Sequence, residues 1–308
     1  MNKMNRKGYS NTPGTGTADS IFKSPTGRQN ILEQYDKILT YFDFPHRERY
    51  VDTAYGSTYV VESGSAEMPP LVLFHGSTSN SAAWFTDMKE LTQYFRVFTV
   101  DLIGDAGHSA EIRLNMKSDE YALWIRDIFA QLGIRKAAIM GNSLGAWMCL
   151  KFAAVFPESV DRIVLLAASG IAPVRPLFVI RVILYSLLGG KGAESITRMV
   201  YGKDRIPREI IDYVKLIADN YSPYTGEVPV LKDSELRRLV MPVLYIAGKD
   251  DKLTNAPKCA KRLSKLLPRP TIYVLKNTGH VIFNILDKAL PFLTAAGASG
   301  NTASGSRV

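Results

Sequence analysis

Three observations in the amino-acid sequence predict an α/β fold with a mostly parallel sheet. Short apolar runs recur at Leu71–Phe74, Val97–Val100, Ala137–Met140, Ile163–Leu166, Val243–Ala247 and Ile272–Leu275. Amphipathic stretches lie between and after them, near Ala83–Phe95, Ser118–Leu132, Leu144–Phe156, Ala256–Leu267 and Val281–Leu293. Tyr50–Ala54 and Ser57–Glu62 flank Gly56 and read as an antiparallel hairpin at the sheet edge. Strands covered on both faces are apolar throughout, and parallel neighbours need a helix-sized crossover between them. The pattern therefore predicts an eight-stranded sheet flanked by helices.

The chain has 308 residues, 46% hydrophobic and 22% charged, enough for one large core. Folds of this class often run to that length as one domain. The polar opening, residues 1–20, and the close, residues 295–308, are expected to be disordered. The core is expected at 21–168 and 240–294. Residues 169–239 separate the sixth and seventh strands and are too many for a simple crossover. They hold Leu177–Leu188, Gly192–Tyr201 and Pro207–Tyr221, each able to form a helix, then a proline-glycine stretch to Pro229. The run Leu177–Leu188 is apolar on nearly every side, as a pocket wall or a packed element would be. It is shorter than the roughly 20 residues of a membrane span and carries Arg181, so a span is not expected. Docking on a lipid surface stays open.

Net charge is +9, but the basic residues are scattered. Lys258, Lys261, Arg262, Lys265 and Arg269 form a modest cluster that reads as a solvated helix face. Nucleic-acid binding would need a basic stripe with aromatic platforms, so it is not expected. No apolar segment follows the basic start, so no secretory signal is expected. Two cysteines, Cys149 and Cys259, make no disulfide framework and point to a reducing cytoplasm.

The most informative segment is Gly141-Asn142-Ser143-Leu144-Gly145, set between an apolar strand and a helical pattern. A serine on so sharp a strand-to-helix turn sits in strained backbone, and its neighbours must be small for the chain to fold back. Its hydroxyl then emerges at a helix N-terminus, where free N–H groups favour developing negative charge. A serine needs a base. Of the four histidines, His46, His75, His108 and His280, the last follows the final strand in a loop able to reach the sheet rim. The acid that orients it is sought in Gly248-Lys249-Asp250-Asp251, where Asp251 is preferred and Asp250 is the alternative. One backbone N–H for an oxyanion is assigned to Leu144. The other falls in the turn His75-Gly76-Ser77-Thr78, with Ser77 nominated over Gly76 and Thr78. His75 is expected to brace that loop, and His108 to lie at a loop or pocket edge. Trp84, Trp124 and Trp147 read as core, with the shaping of a flat aromatic pocket as the alternative.

Leu71–Gly76, Asp101-Leu102-Ile103-Gly104, Gly141–Gly145, Gly248–Asp251 and Thr278-Gly279-His280 occur in the order of the α/β-hydrolase superfamily, which the chain resembles over roughly residues 50–294. Ile21-Phe22-Lys23-Ser24, Gly27-Arg28 and Tyr35 look like the start of bacterial carboxylesterases of the naproxen-esterase type. The sequence departs from family habit at Lys252, where proline is common after the acidic turn. It departs again at Ala106 in Asp105-Ala106-Gly107-His108-Ser109, where many relatives have glycine. The resemblance implies a helical cap at 169–239 and hydrolysis of a small-molecule ester without metal or organic cofactor. Lipase, lysophospholipase, thioesterase and carbon–carbon hydrolase activities use the same trio, and a non-catalytic receptor is a reading of another class. The sequence sets neither the ester nor the oligomeric state.

Overall fold

The computed structural model describes residues 20–175, 177–178, 195–196, 198–200 and 207–295. The expected tails at 1–20 and 295–308 fall, but for Ser20 and Ala295, outside them. So do most of Leu177–Leu188 and part of Gly192–Tyr201.

The strands are β1 (His46–Thr53), β2 (Gly56–Ser63), β3 (Pro70–Phe74), β4 (Arg96–Val100), β5 (Ala137–Asn142), β6 (Val160–Leu166), β7 (Val243–Gly248) and β8 (Pro270–Leu275). They form one eight-stranded sheet in the order β1-β2-β4-β3-β5-β6-β7-β8. β1, β2 and β4 pair antiparallel in turn, and every other pairing is parallel. The order reverses around β3 and β5, so the strands that carry His75 and Ser143 at their ends are neighbours.

Alternation along each strand feeds two cores. Leu71 and Leu73 of β3 join Met140 of β5 and Leu244 and Ile246 of β7 on one face. Val72 and Phe74 join Ile139, Ile163 and Tyr245 on the other. The second face is covered by α3 (Glu120–Gln131), α4 (Leu144–Val155) and α7 (Ala256–Leu266). The first is covered by α1 (Pro25–Leu39), α2 (Phe85–Leu91) and α8 (Leu286–Thr294). Removing one large buried side chain from either layer costs about 2–5 kcal/mol. Trp84, Trp124 and Trp147 are all buried.

Two helices differ from the sequence-based expectation. The last begins at Leu286 rather than near Val281, because Asn284 takes a left-handed backbone (φ 52°) that a right-handed helix cannot continue through. The expected helix near Ala83–Phe95 divides into a 3₁₀ turn, Ser81–Trp84, and the short α2, with Asn80 accepting the Ala82 N–H at the start. A further helix, α1, had no counterpart among the amphipathic stretches. Its local signals are plain in retrospect. Ser24 Oγ accepts the Gly27 N–H (2.9 Å), Pro25 occupies the first turn, and Ile31, Leu32, Tyr35 and Leu39 are buried on one side.

Between β6 and β7 the described residues include α5 (Arg208–Asn220) and the single turn α6 (Asp233–Leu236). α5 packs against α1 so closely that a side chain at Gly27 would meet Asn220. Phe22 bridges Tyr221 just beyond it. Leu231 N–H donates to Gly170 O (2.9 Å) where the insertion returns. On α7, Lys258, Lys261 and Lys265 are exposed, whereas Arg262 is committed to Asp233 and to the carbonyls of Ile171 and Leu231.

Candidate active site

Ser143 ends the turn from β5 into α4 with φ 51° and ψ −106°, a backbone conformation costing about 1–3 kcal/mol for a residue with a side chain. The turn is held by Ser143 N–H donating to Leu166 O (2.8 Å), and by Ser143 O accepting the N–H groups of Trp147 (3.1 Å) and Ser169 (3.2 Å). The two flanking glycines are required by contact. A Cβ on Gly141 would lie 2.4 Å from the Gly145 carbonyl, and one on Gly145 would lie 2.1 Å from Phe74 O. Asn142, between Gly141 and the serine, presents its amide nitrogen to Gly76, 3.4 Å from where a Cβ there would stand.

His280 comes from the loop after β8 and is almost buried. Its Nε2 lies 3.0 Å from Ser143 Oγ, and its Nδ1 lies 2.8 Å from Asp251 Oδ2. With Asp251 accepting the Nδ1 proton, Nε2 is left to accept from the serine hydroxyl, a tautomer assigned from the hydrogen-bond partners. Asp251 is fully buried. Its other bonds come from Leu253 N–H (2.7 Å), Thr254 N–H (3.1 Å) and the Thr254 hydroxyl. Burial opposes its ionisation. The bond and charge of His280 and the Thr254 donors together outweigh burial and hold the carboxyl below the ordinary aspartate range. Asp250 is exposed, its backbone N–H donating to Thr278 O (3.0 Å). Gly248 lets the two loops touch, since a Cβ there would lie 2.0 Å from Gly279 O. The insertion reaches the same loop, with Val200 O accepting the N–H groups of His280 (3.0 Å) and Val281 (3.3 Å).

On the opposite side of the serine, Gly76, Ser77 and Thr78 follow β3. Thr78 has φ 61° and donates its N–H to both carboxylate oxygens of Asp105 (2.9 and 3.1 Å). Its amide is thus occupied, which leaves Ser77 and Gly76 of the three considered for the oxyanion. Leu144 opens α4, and the first N–H groups of a helix have no partner within it. His75 is fully buried. Its Nε2 accepts the Leu102 N–H (2.9 Å), so Nδ1 carries the proton and donates to Gly76 O (2.8 Å). His108 pairs with Asp36 (2.6 Å) and packs against the Tyr35 and Tyr59 rings. His46 contacts Phe44 O (3.1 Å).

Sequence reasoning overlooked the acidic residues behind this side. Asp101 is fully buried and accepts from Ser81 N–H (2.9 Å), Tyr35 O–H (2.9 Å) and His108 N–H (2.8 Å). Asp105 also accepts the Ala106 N–H (2.8 Å). Burial raises its pKa, against the lowering effect of the Ala106 and Thr78 N–H donors. Their only sequence signal is their place in the segments Asp101-Leu102-Ile103-Gly104 and Asp105-Ala106-Gly107-His108-Ser109. Among the described residues, no group of three or more His, Cys, Asp or Glu is placed to hold a metal ion, and no helix is long and apolar enough to cross a membrane.

A family model of the α/β-hydrolase fold matches residues 69–187. The chain is 29% identical over 264 residues to the carboxylesterase YbfK of Bacillus subtilis, covering 82% of this chain and 88% of that one. The crystal structure of carboxylesterase CesB (YbfK) superposes with a TM-score of 0.78 at 25% identity, over 88% of this chain and 99% of that one. The crystal structure of naproxen esterase (carboxylesterase NP) from Bacillus subtilis gives 0.75 at 24% identity, over 87% and 94%, a likeness of fold.

Proposed function

We propose that the chain, which has the α/β-hydrolase fold, hydrolyses carboxylic esters through a serine acyl-enzyme. Ser143 Oγ attacks the acyl carbon while His280 Nε2 takes its proton. Asp251 keeps the imidazole in the required tautomer and stabilises its charged form. Backbone N–H groups of Ser77 and Leu144 receive the oxyanion, each donor of this kind being worth about 10²–10³ in rate. His280 then protonates the departing alcohol. Water enters, gives its proton to His280 as it adds to the acyl carbon, and His280 returns that proton to Ser143 Oγ as the acid is released. None of these steps calls on a metal or cofactor.

The observation that carries this reading is the unbroken relay, 3.0 Å from Ser143 to His280 and 2.8 Å on to Asp251, at a serine in strained backbone. A binding protein that merely kept the fold has no use for so costly an arrangement. The same reading places the enzyme in the cytoplasm, supported by two buried, unpaired thiols, Cys149 and Cys259.

The test is turnover of p-nitrophenyl acetate, butyrate and a longer-chain ester, with Ser143→Ala alongside. We expect a burst and steady turnover from the unmodified chain, and labelling by a fluorophosphonate. The variant should fall by about 10³-fold or more and stay unlabelled. Equal rates from both proteins would refute the proposal. A rate that jumps once substrate forms micelles would move the assignment to a lipase.

A further inference from the structure

The loop that offers Ser77 is laced to the loop after β4 along its whole length. Leu102 N–H donates to His75 (2.9 Å), Thr78 N–H to the Asp105 carboxylate (2.9 and 3.1 Å), Asn80 Nδ2 to Ala106 O (2.9 Å), and Ser81 N–H to Asp101 (2.9 Å). Three of these bonds join groups in their ordinary conformations. The fourth does not, because Thr78 is β-branched and holds φ 61°. A β-branched residue in the left-handed region is an outlier that persists only where its surroundings over-determine it. Asp105 is what over-determines it here. It is almost fully buried, and both of its oxygens receive the Thr78 N–H. A fully buried Tyr221, at the end of α5, donates its hydroxyl to Gly104 O (3.1 Å) and backs the same turn.

We propose that Asp105 is a positioning residue for the oxyanion site: its carboxylate clamps Thr78 in the left-handed conformation and thereby fixes the direction of the adjoining Ser77 N–H. The peptide plane between Ser77 and Thr78 is set by the Thr78 N–H bond, and that plane adjoins the Ser77 backbone. Without the clamp, Thr78 relaxes toward negative φ and the Ser77 N–H swings away from the reacting oxygen. The effect falls on the transition state, where the negative oxygen exists, rather than on binding of the neutral ester.

Asp105→Asn tests this. The amide keeps one acceptor but sets an NH₂ group against the Thr78 or Ala106 N–H. With p-nitrophenyl butyrate we expect kcat to fall about 10–100-fold, short of deleting a donor outright, with KM within about threefold. Affinity for a trifluoromethyl ketone, whose adduct with Ser143 carries an oxyanion, should fall by the same factor. Adding Thr78→Gly should recover about tenfold of the loss, because glycine adopts positive φ without a clamp. A merely structural role for Asp105 predicts lower thermal stability and no rescue. An unchanged kcat, a loss confined to KM, or failure of the glycine to rescue each overturns the proposal. If Asp105→Asn does not fold, an amide-to-ester replacement at residue 78 deletes the same donor without altering the core, and the same losses are expected. The inference rests on the ester-hydrolase reading. An unmodified chain that neither turns over esters nor takes up fluorophosphonate overturns both, whereas an active chain indifferent to Asp105 overturns the clamp alone.

Discussion

The two sides of Ser143 are built on different principles. On one side, the roles proposed for Asp251 and His280 belong to side chains, and few supports suffice. Each sits on a loop leaving its own strand, and the loops touch because Gly248 has no Cβ. Four donors converge on the Asp251 carboxylate and settle its charge locally. On the other side, the groups assigned to the oxyanion are backbone N–H groups, which cannot be aimed by rotating a side chain. Their direction depends on the whole loop, so that loop is tied across to its neighbour by His75, Thr78, Asn80 and Ser81. A side-chain function can be placed by a few atoms, while a main-chain function requires a scaffold.

The contrast predicts that damage on the first side is abrupt. His280→Ala should lower turnover by 10³-fold or more, and Asp251→Asn by up to about 10⁴-fold, with the melting temperature little changed. Asp250→Asn should stay within about twofold, as exposed residues away from the chemistry usually do. Kinetics with p-nitrophenyl butyrate settle the matter, and a severe Asp250 effect would reverse the assignment of the acid.

Gly248→Ala probes the spacing of the two loops. Its Cβ would press on Gly279 O and Thr278 O, at 2.0 and 2.2 Å. Displacing the histidine loop by about an ångström is expected to cost about 10²-fold in kcat, because near-attack geometry tolerates little error. An active Gly248→Ala enzyme with normal stability would show that the loops have slack.

The smallest effect lies outside the site and serves as a control. Asp87 on α2 has its carboxyl pushed up to about 6 by burial, with Glu90 adding to it. Its folded-state pKa stands above the unfolded value, so the destabilisation is absent at low pH and grows as pH rises through about 4 to 6. Asp87→Asn should therefore raise the melting temperature by roughly 2–4 °C at pH 7.5, with the gain fading toward pH 4 and activity unchanged. Equal gains at both pH values would contradict the assigned cause.

Much of this architecture was legible because it is written in side-chain pattern. Two-sided burial makes β3, β5, β6 and β7 apolar throughout, and those runs stand out against helical spacing. The side chains of Ser143, His280 and Asp251 are of types whose chemistry depends on one another, and their order along the chain could be read. The rest was hidden for physical reasons. Asn284 interrupts α8 through a backbone angle that its neighbours do not announce. α1 carries its cap and apolar stripe within a segment whose residues first suggested only a family likeness. Asp101 and Asp105 accept main-chain N–H groups from distant loops, and nothing in a sequence states where a main-chain donor will point.

Tyr35 reaches from α1 to the buried Asp101, the same carboxylate that receives Ser81 N–H, while Phe22 bridges Tyr221 beyond α5. The opening segment is therefore a clasp that spans insertion and core. A shortened protein beginning at the β1–β2 hairpin would keep every member of the Ser143 relay. It would nonetheless strand a carboxylate with one donor fewer, at a cost of about 1–3 kcal/mol. It would also bare Ile217 and Tyr221 to water, so trimming this end would act on the reaction through the foundations beneath it.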